Sequence, residues 1–169
     1  MATPFVAILM GSDSDLPTMQ TTLDTLEKLN ISFEVRITSA HRTPEETKSY
    51  VKDADSRGCA VFIAAAGLAA HLGGAVAAMT IKPVIGVPLD AGPLNGMDAL
   101  LSTVQMPGGI PVASVAIGKP GASNAAYLAA QILALNNGDV AARLKAEREN
   151  NIKNIAGKNE SLQSQLKKK

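Results

Sequence analysis

Two histidines, His41 and His71, one arginine, Arg42, and the polar run Gly11-Ser12-Asp13-Ser14-Asp15 are the side chains whose types and spacing could do chemistry. His41 and Arg42 stand in the string Ser39-Ala40-His41-Arg42-Thr43-Pro44. An alternating segment, Phe33-Glu34-Val35-Arg36-Ile37, precedes it and reads as a strand. A helix follows, and its start is marked twice. Thr43 with Glu46 has the pattern of a capping box, and Pro44 takes the first helical position, where its missing N–H costs nothing. The histidine and arginine therefore fall between a strand's C-terminal end and a helix N-terminus. In open α/β sheets that is the edge where ligands bind. Free backbone N–H groups and the helix dipole favour an anion there, and Arg42 adds a fixed fork of donors. The chemistry indicated is a phosphate clamp beside a titratable imidazole. An ordinary surface loop would also tolerate these residues, so the neighbouring loops decide.

In Gly11-Ser12-Asp13-Ser14-Asp15, Ser12 could hydrogen-bond a phosphate and Asp15 could accept from the two hydroxyls of a ribose. Ser14 or Asp15 could equally cap the following helix, and capping is compatible with the other roles. The segment Ala66-Gly67-Leu68-Ala69-Ala70-His71-Leu72-Gly73-Gly74 offers close backbone approach, with His71 among small residues that suit a narrow, poorly hydrated pocket. Asp98 reads as the N-cap of a later helix. Gly118-Lys119-Pro120-Gly121 lacks the spacing of a P-loop, and no dinucleotide-binding glycine pattern, nucleophile elbow or metal-spaced ligand set is present. These observations leave acid–base chemistry on a phosphorylated small molecule, carried by histidine, with neither metal nor organic cofactor expected.

The elements that must position these loops alternate without interruption. Apolar runs at residues 5–10, 60–65, 83–87 and 112–117, with the alternating 33–37, read as five strands. Helical periodicity lies between them, from Leu16 to Leu29, to about Arg57, to about Thr80, from Asp98 to about Gln105 and from Ser123 to Leu135. This predicts a doubly wound parallel α/β sheet with right-handed crossovers, in the flavodoxin-like order 2-1-3-4-5. Strand 1 would then lie between strands 2 and 3, and their three loops would bring both histidines, Arg42 and the Ser/Asp run to one edge. Residues 1–138 form the expected catalytic domain. Residues 139–169 form a charged helix to about Ile155 and a frayed, polar, lysine-ended tail.

A chain of 169 residues can bury a core large enough to fold without disulfide or metal. The lone Cys59 has no internal bridging partner and reads as a core thiol in a reducing, cytoplasmic setting. A net charge of +1 with no basic stripe argues against nucleic acid as a partner. No apolar run approaches a membrane span, and the chain enters its first strand with no signal-peptide pattern.

The strings GSDSD, SAHRTP, AAGLAAHL, IGVPL and GMDALLSTVQMPGGIPVASVAIGKPGASNAAYLAAQIL, in this order from Phe5 to Leu135, resemble the class I PurE family. These are 5-(carboxyamino)imidazole ribonucleotide mutases of purine biosynthesis. The resemblance implies movement of a carboxylate from an exocyclic amine to ring carbon 4 of an imidazole ribonucleotide, without ATP, metal or biotin. It implies that Ser12, Ser39 and Arg42 hold the phosphate, with Ala40 in the same binding loop, and that Asp15 holds the ribose. His41 would be the general acid/base, and Gly67, Ala70, His71 and Leu72 would line a carbon dioxide pocket. It further implies a homo-octamer, with Gln105-Met106-Pro107 helping to close the site and the C-terminal helix packed on a neighbour. The chain departs from the family pattern at Ala65 and Leu68, where many members have Gly, at Gly73, where they have Pro, and at Asp13 and Gly108, where they have a basic residue. Leu68 is expected to narrow the pocket and Asp13 to weaken phosphate affinity.

Three rival readings stay open on the sequence. One is an aminoimidazole ribonucleotide carboxylase using free carbon dioxide, although such relatives differ after the SAH histidine. A non-catalytic nucleotide-binding module leaves His41 without a role. A flavodoxin-like electron carrier would lack stacking aromatics. Assembly is also expected from the Ala-rich helix after Gly121, whose small apolar residues occupy more than one face and require cover on both sides.

Overall fold

The structure, a computed structural model, describes residues 4–167. The apolar runs form strands β1 (Phe5–Met10), β3 (Cys59–Ala66) and β4 (Val84–Pro88), and the alternating run forms β2 (Phe33–Ile37). The fifth strand, β5, is shorter than expected, Ala113–Ser114. Only two residues fall into regular register, Ile85 with Ala113 and Gly86 with Ser114. Beyond them the backbone stays alongside through single bonds, from Val115 N–H to Gly86 O and from Gly118 N–H to Pro88 O. All pairings are parallel, in the order β2-β1-β3-β4-β5.

Every residue of β1 is buried, as a central strand covered on both faces requires. Its alternate side chains divide between two cores. Val6, Ile8 and Met10 face one layer with helices α1 (Leu16–Lys28) and α5 (Lys119–Ala134). Phe5, Ala7 and Leu9 face the other with α2 (Pro44–Ser56) and α3 (Leu72–Ala77). Truncating one such residue, Ile8→Ala for instance, should cost about 2–5 kcal/mol. A surface ion pair such as Arg57–Glu34 is worth about 0–1 kcal/mol. The two cores, rather than the ion pairs, hold the sheet edge in place.

Several boundaries differ from expectation for identifiable reasons. Thr43 makes no capping bond to α2. Its hydroxyl turns back into the preceding loop, accepting from Ser39 N–H at 2.9 Å and lying 3.3 Å from Ser39 O. Asp98 is not an N-cap. Gly96, at φ 80°, caps α4 (Met97–Val104), and Asp98 falls in its first turn with Oδ1 buried and unpartnered among the described residues. The helix after Gly118 begins at Lys119, with Pro120 in its first turn. The last helix, α6, runs Gly138–Leu166 rather than ending near Ile155. Asn137 caps it through bonds from Asp139 and Val140 N–H, and no proline interrupts it. The expected frayed tail is thus mostly helix, and Lys168 and Lys169 lie outside the described residues.

The small residues of α5 are covered within the chain, contrary to the expectation that they need a second subunit. Ala122, Ala125, Ala126, Ala129 and Ala130 are buried between the sheet, α1 and α6. Thr22 of α1 donates to Ala122 O at 2.8 Å, and Glu147 of α6 meets both Lys28 and Tyr127. Small side chains permit this because they let three layers approach closely. Exposed apolar residues instead line α4 and its flanks: Leu94, Met97, Leu101, Val104 and Ile110.

Candidate active site

Three strand ends build the site. The chain leaves β1 through a single 3-10 turn, Asp13–Asp15, and here a full capping box forms. Ser12 Oγ accepts from Ser14 N–H at 3.2 Å, while Asp15 Oδ2 accepts from Ser12 N–H at 3.0 Å. Burial raises the Asp15 carboxyl above its ordinary value, against the bond from Ser12, which lowers it. Ser12 Oγ also meets Asp13 Oδ1 at 3.1 Å and Ser14 Oγ at 2.8 Å.

The loop after β2 is tied by its own polar groups. Thr38 Oγ1 lies 2.6 Å from Thr47 Oγ1, Thr43 closes on Ser39, and Ser39 Oγ accepts from Arg42 N–H at 3.1 Å. This leaves the side chains of His41 and Arg42 exposed at the edge. Arg42 Nη2 donates to Gly11 O at 3.0 Å, which fixes the guanidinium across the mouth of the β1 loop. Arg42 lines the same cavity as Ser12, Ser39 and Asp15, and its guanidinium has further donors beyond the one given to Gly11 O.

The loop after β3 brings His71 to His41. Their Nδ1 and Nε2 atoms are 2.7 Å apart, with the rings nearly perpendicular. These residues, thirty apart in sequence, meet because β1 lies between β2 and β3. This is the switch point of the order 2-1-3-4-5, where such sheets bind ligands.

A cavity of about 480 Å³ runs across the three loops. Ser12, Asp15, Ser39, Ala40, His41 and Arg42 line it from the first two loops, and Gly67, His71 and Leu72 from the third. Ala70 does not. It is buried behind the loop, and its N–H donates to Ser102 Oγ of α4 at 2.9 Å. Ser14, read only as a possible cap, and Ala91, given no role by the sequence, also line the cavity, and Leu68, expected to narrow it, does so as an exposed side chain. Ala91 comes from the loop after β4, whose Pro/Gly-rich sequence signals a turn but not the direction it takes. Among the described residues no group of three or more His, Cys, Asp or Glu is placed to hold a metal ion. Cys59 is buried at the far end of β3, away from the three loops, and burial pushes its thiol up to about 11, which disfavours the thiolate at neutral pH. No helix of the described residues is long and apolar enough to cross a membrane.

The fold and site together define a class: a flavodoxin-like α/β protein with an imidazole pair and a guanidinium at its switch edge. Residues 5–154 match the family described as AIR carboxylase, and the chain belongs to that family. It is 51% identical over 159 residues to a Bacillus subtilis protein named N5-carboxyaminoimidazole ribonucleotide mutase, covering 94% of this chain and 98% of that one. A Brucella melitensis protein of the same name is 54% identical over 151 residues, covering 89% and 93%. The crystal structure of Treponema denticola PurE superposes with a TM-score of 0.85 at 32% identity, over 94% of this chain and 98% of that one.

Proposed function

We propose that this chain is a 5-(carboxyamino)imidazole ribonucleotide mutase, an isomerase of purine biosynthesis that needs no cofactor. The observation that carries the reading is the meeting of His41 and His71 in one cavity with Arg42, Ser12, Ser39 and Asp15. In the reaction, the bond between the exocyclic nitrogen and the carboxylate breaks, releasing carbon dioxide and leaving the amine to take a proton. Ring carbon 4 then adds to the same carbon dioxide and loses its own proton. One imidazole that gives the first proton and takes the second ends as it began, so no net acid or base is consumed. His41 fills that role. His71, at hydrogen-bond distance, holds its ring. Arg42, Ser12 and Ser39 take the phosphate, and Asp15 accepts from the ribose hydroxyls.

The rest of the site suits a charged substrate that must shed charge. A carbamate stripped of water loses carbon dioxide readily, because its charge is destabilised more than the neutral products are. Holding the gas beside the ring carbon makes recombination intramolecular. In a single chain both histidines are exposed, so a dry site requires further cover. The apolar stripe on α4 supports assembly into a homo-octamer, in which neighbouring copies supply that cover. The single buried thiol suits a cytoplasmic setting.

The test offers the purified protein each imidazole nucleotide separately, without ATP. Conversion of the carboxyamino nucleotide to the carbon-4 carboxylate is expected. Turnover only of the decarboxylated nucleotide with added bicarbonate would assign the carboxylase reaction instead. Binding without turnover of either would reduce the chain to a nucleotide-binding module.

A further inference from the structure

Leu68 has a left-handed backbone, φ 56°, in a chain whose other positive-φ non-glycine residues among those described are both asparagines. A leucine holds that conformation only where its surroundings over-determine it. Here they do. A Cβ on Gly92 would lie 2.4 Å from Leu68 Cδ2, so the leucine side chain occupies the space that glycine leaves. The fit is reciprocal, since a Cβ on Gly67 would lie 2.5 Å from Ala91 Cβ. Each loop therefore has a glycine that seats a side chain of the other. Leu89 N–H adds a 3.0 Å bond to Ala66 O, continuing the β3–β4 pairing into the two loops.

This interlock fixes an apolar side chain where most of the lining is small or polar. Leu68 and Leu72 are the only large aliphatic residues among those that line the cavity. Leu72 is buried, while Leu68 keeps 52% of its surface open. Carbon dioxide carries no net charge and, unlike the carbamate it leaves, loses little on passing from water to an apolar surface. The same surface excludes the water that would carry the gas away.

We propose that Leu68, seated on Gly92, closes the apolar end of the cavity and retains the released carbon dioxide until ring carbon 4 captures it. This rests on the mutase reading above. Without such retention the carbon–nitrogen bond still breaks, but the carbon dioxide escapes and the free amine leaves as product.

The experiment supplies substrate labelled with carbon-13 in the migrating carboxylate, in buffer containing unlabelled bicarbonate. Label retained in the product and decarboxylated nucleotide released per turnover are both measured. Wild type should retain the label. Leu68→Ala should lose several-fold more label and release several-fold more decarboxylated nucleotide, with KM little changed because the phosphate clamp is intact. Leu68→Met, which keeps an apolar side chain of similar volume, should recover most of the retention. Gly92→Ala, which displaces Leu68 without altering it, should leak as Leu68→Ala does if it folds, and Leu68→Ala decides alone if it does not. A folded Leu68→Ala that retains label as wild type does overturns the proposal, as does a wild type that already exchanges its label freely. A wild type with no turnover at all overturns the mutase reading instead, so the two failures are distinguishable.

Discussion

His41 Nε2 and His71 Nδ1 are 2.7 Å apart, with their ring planes at 81°. Only one proton fits in that gap, so one nitrogen donates and the other accepts, and the tautomer of each ring is set by the other. On the mutase reading proposed above, His71 would position His41 through this hydrogen bond.

His41→Asn keeps a hydrogen-bonding group of similar size that cannot titrate. Nucleotide affinity should survive while turnover falls about 10²–10⁴-fold. His71→Asn should cost less, because His41 still carries the proton. The double variant should be little worse than His41→Asn alone, since residues that act as a unit are strongly non-additive. Binding constants and single-turnover rates for all three variants check this. Additive losses would mean that the two histidines act separately.

Arg42 already spends one donor on Gly11 O. Arg42→Lys keeps the charge but loses the fork, and with it both the loop tie and bidentate contact. Nucleotide affinity should weaken about 10–100-fold, corresponding to the roughly 1.5–3 kcal/mol of one charge-assisted bond. The dephosphorylated nucleoside should bind poorly to wild type and be nearly indifferent to the change. Equal losses for nucleoside and nucleotide would make Arg42 a structural residue only.

Strand order and the meeting of the three loops were legible because both follow from strong local signals. Runs such as residues 5–10 read as buried strands, and regular alternation with helices leaves few topologies. The caps were less legible. Thr43 and Glu46 match a capping pattern, yet Thr43 bonds to Ser39, because a hydroxyl near several backbone groups takes whichever the loop presents. Asp98 lost its expected place for a similar reason: Gly96 adopts a left-handed conformation that turns the chain into α4 two residues earlier. Ala70 could not be told from its neighbours, because which residues of a glycine-rich loop face inward depends on packing against α4. The seat of Leu68 on Gly92 joins loops from different strands, and no local pattern in either loop announces it.

Assembly should be governed by α4 rather than α5. Met97, Leu101 and Val104 lie at helical spacing on one exposed face, flanked by Leu94 and Ile110. A contiguous apolar patch rimmed by polar residues marks an interaction surface. Wild type at micromolar concentration should scatter light as an octamer. Leu101→Glu should shift it to smaller species with an unchanged far-ultraviolet circular dichroism spectrum, because this leucine is 52% exposed in the single chain. A wild type that is monomeric, or a Leu101→Glu variant that assembles normally, contradicts this.

Asp15 sets stability against binding. Burial raises its carboxyl above the ordinary value of 3.8, so the folded chain holds a proton that the unfolded chain has already released. Stability from this group therefore falls as pH rises through the window between the ordinary value and the raised one, and the loss is complete above it. Asp15→Asn removes that loss, and its amide oxygen can still accept from Ser12 N–H, which Asp15 Oδ2 now does at 3.0 Å. At about pH 7 the variant should melt at or above the wild-type temperature, and its advantage should shrink as pH falls toward about 4, where the aspartate becomes protonated too. Nucleotide affinity should move the other way, since an amide offers a ribose diol one acceptor atom in place of two. Melting curves across that pH range, with a binding titration at neutral pH, read both effects. A variant that melts lower than wild type at neutral pH would show that the carboxylate charge stabilises the 3-10 turn, and that burial is not the dominant influence on Asp15.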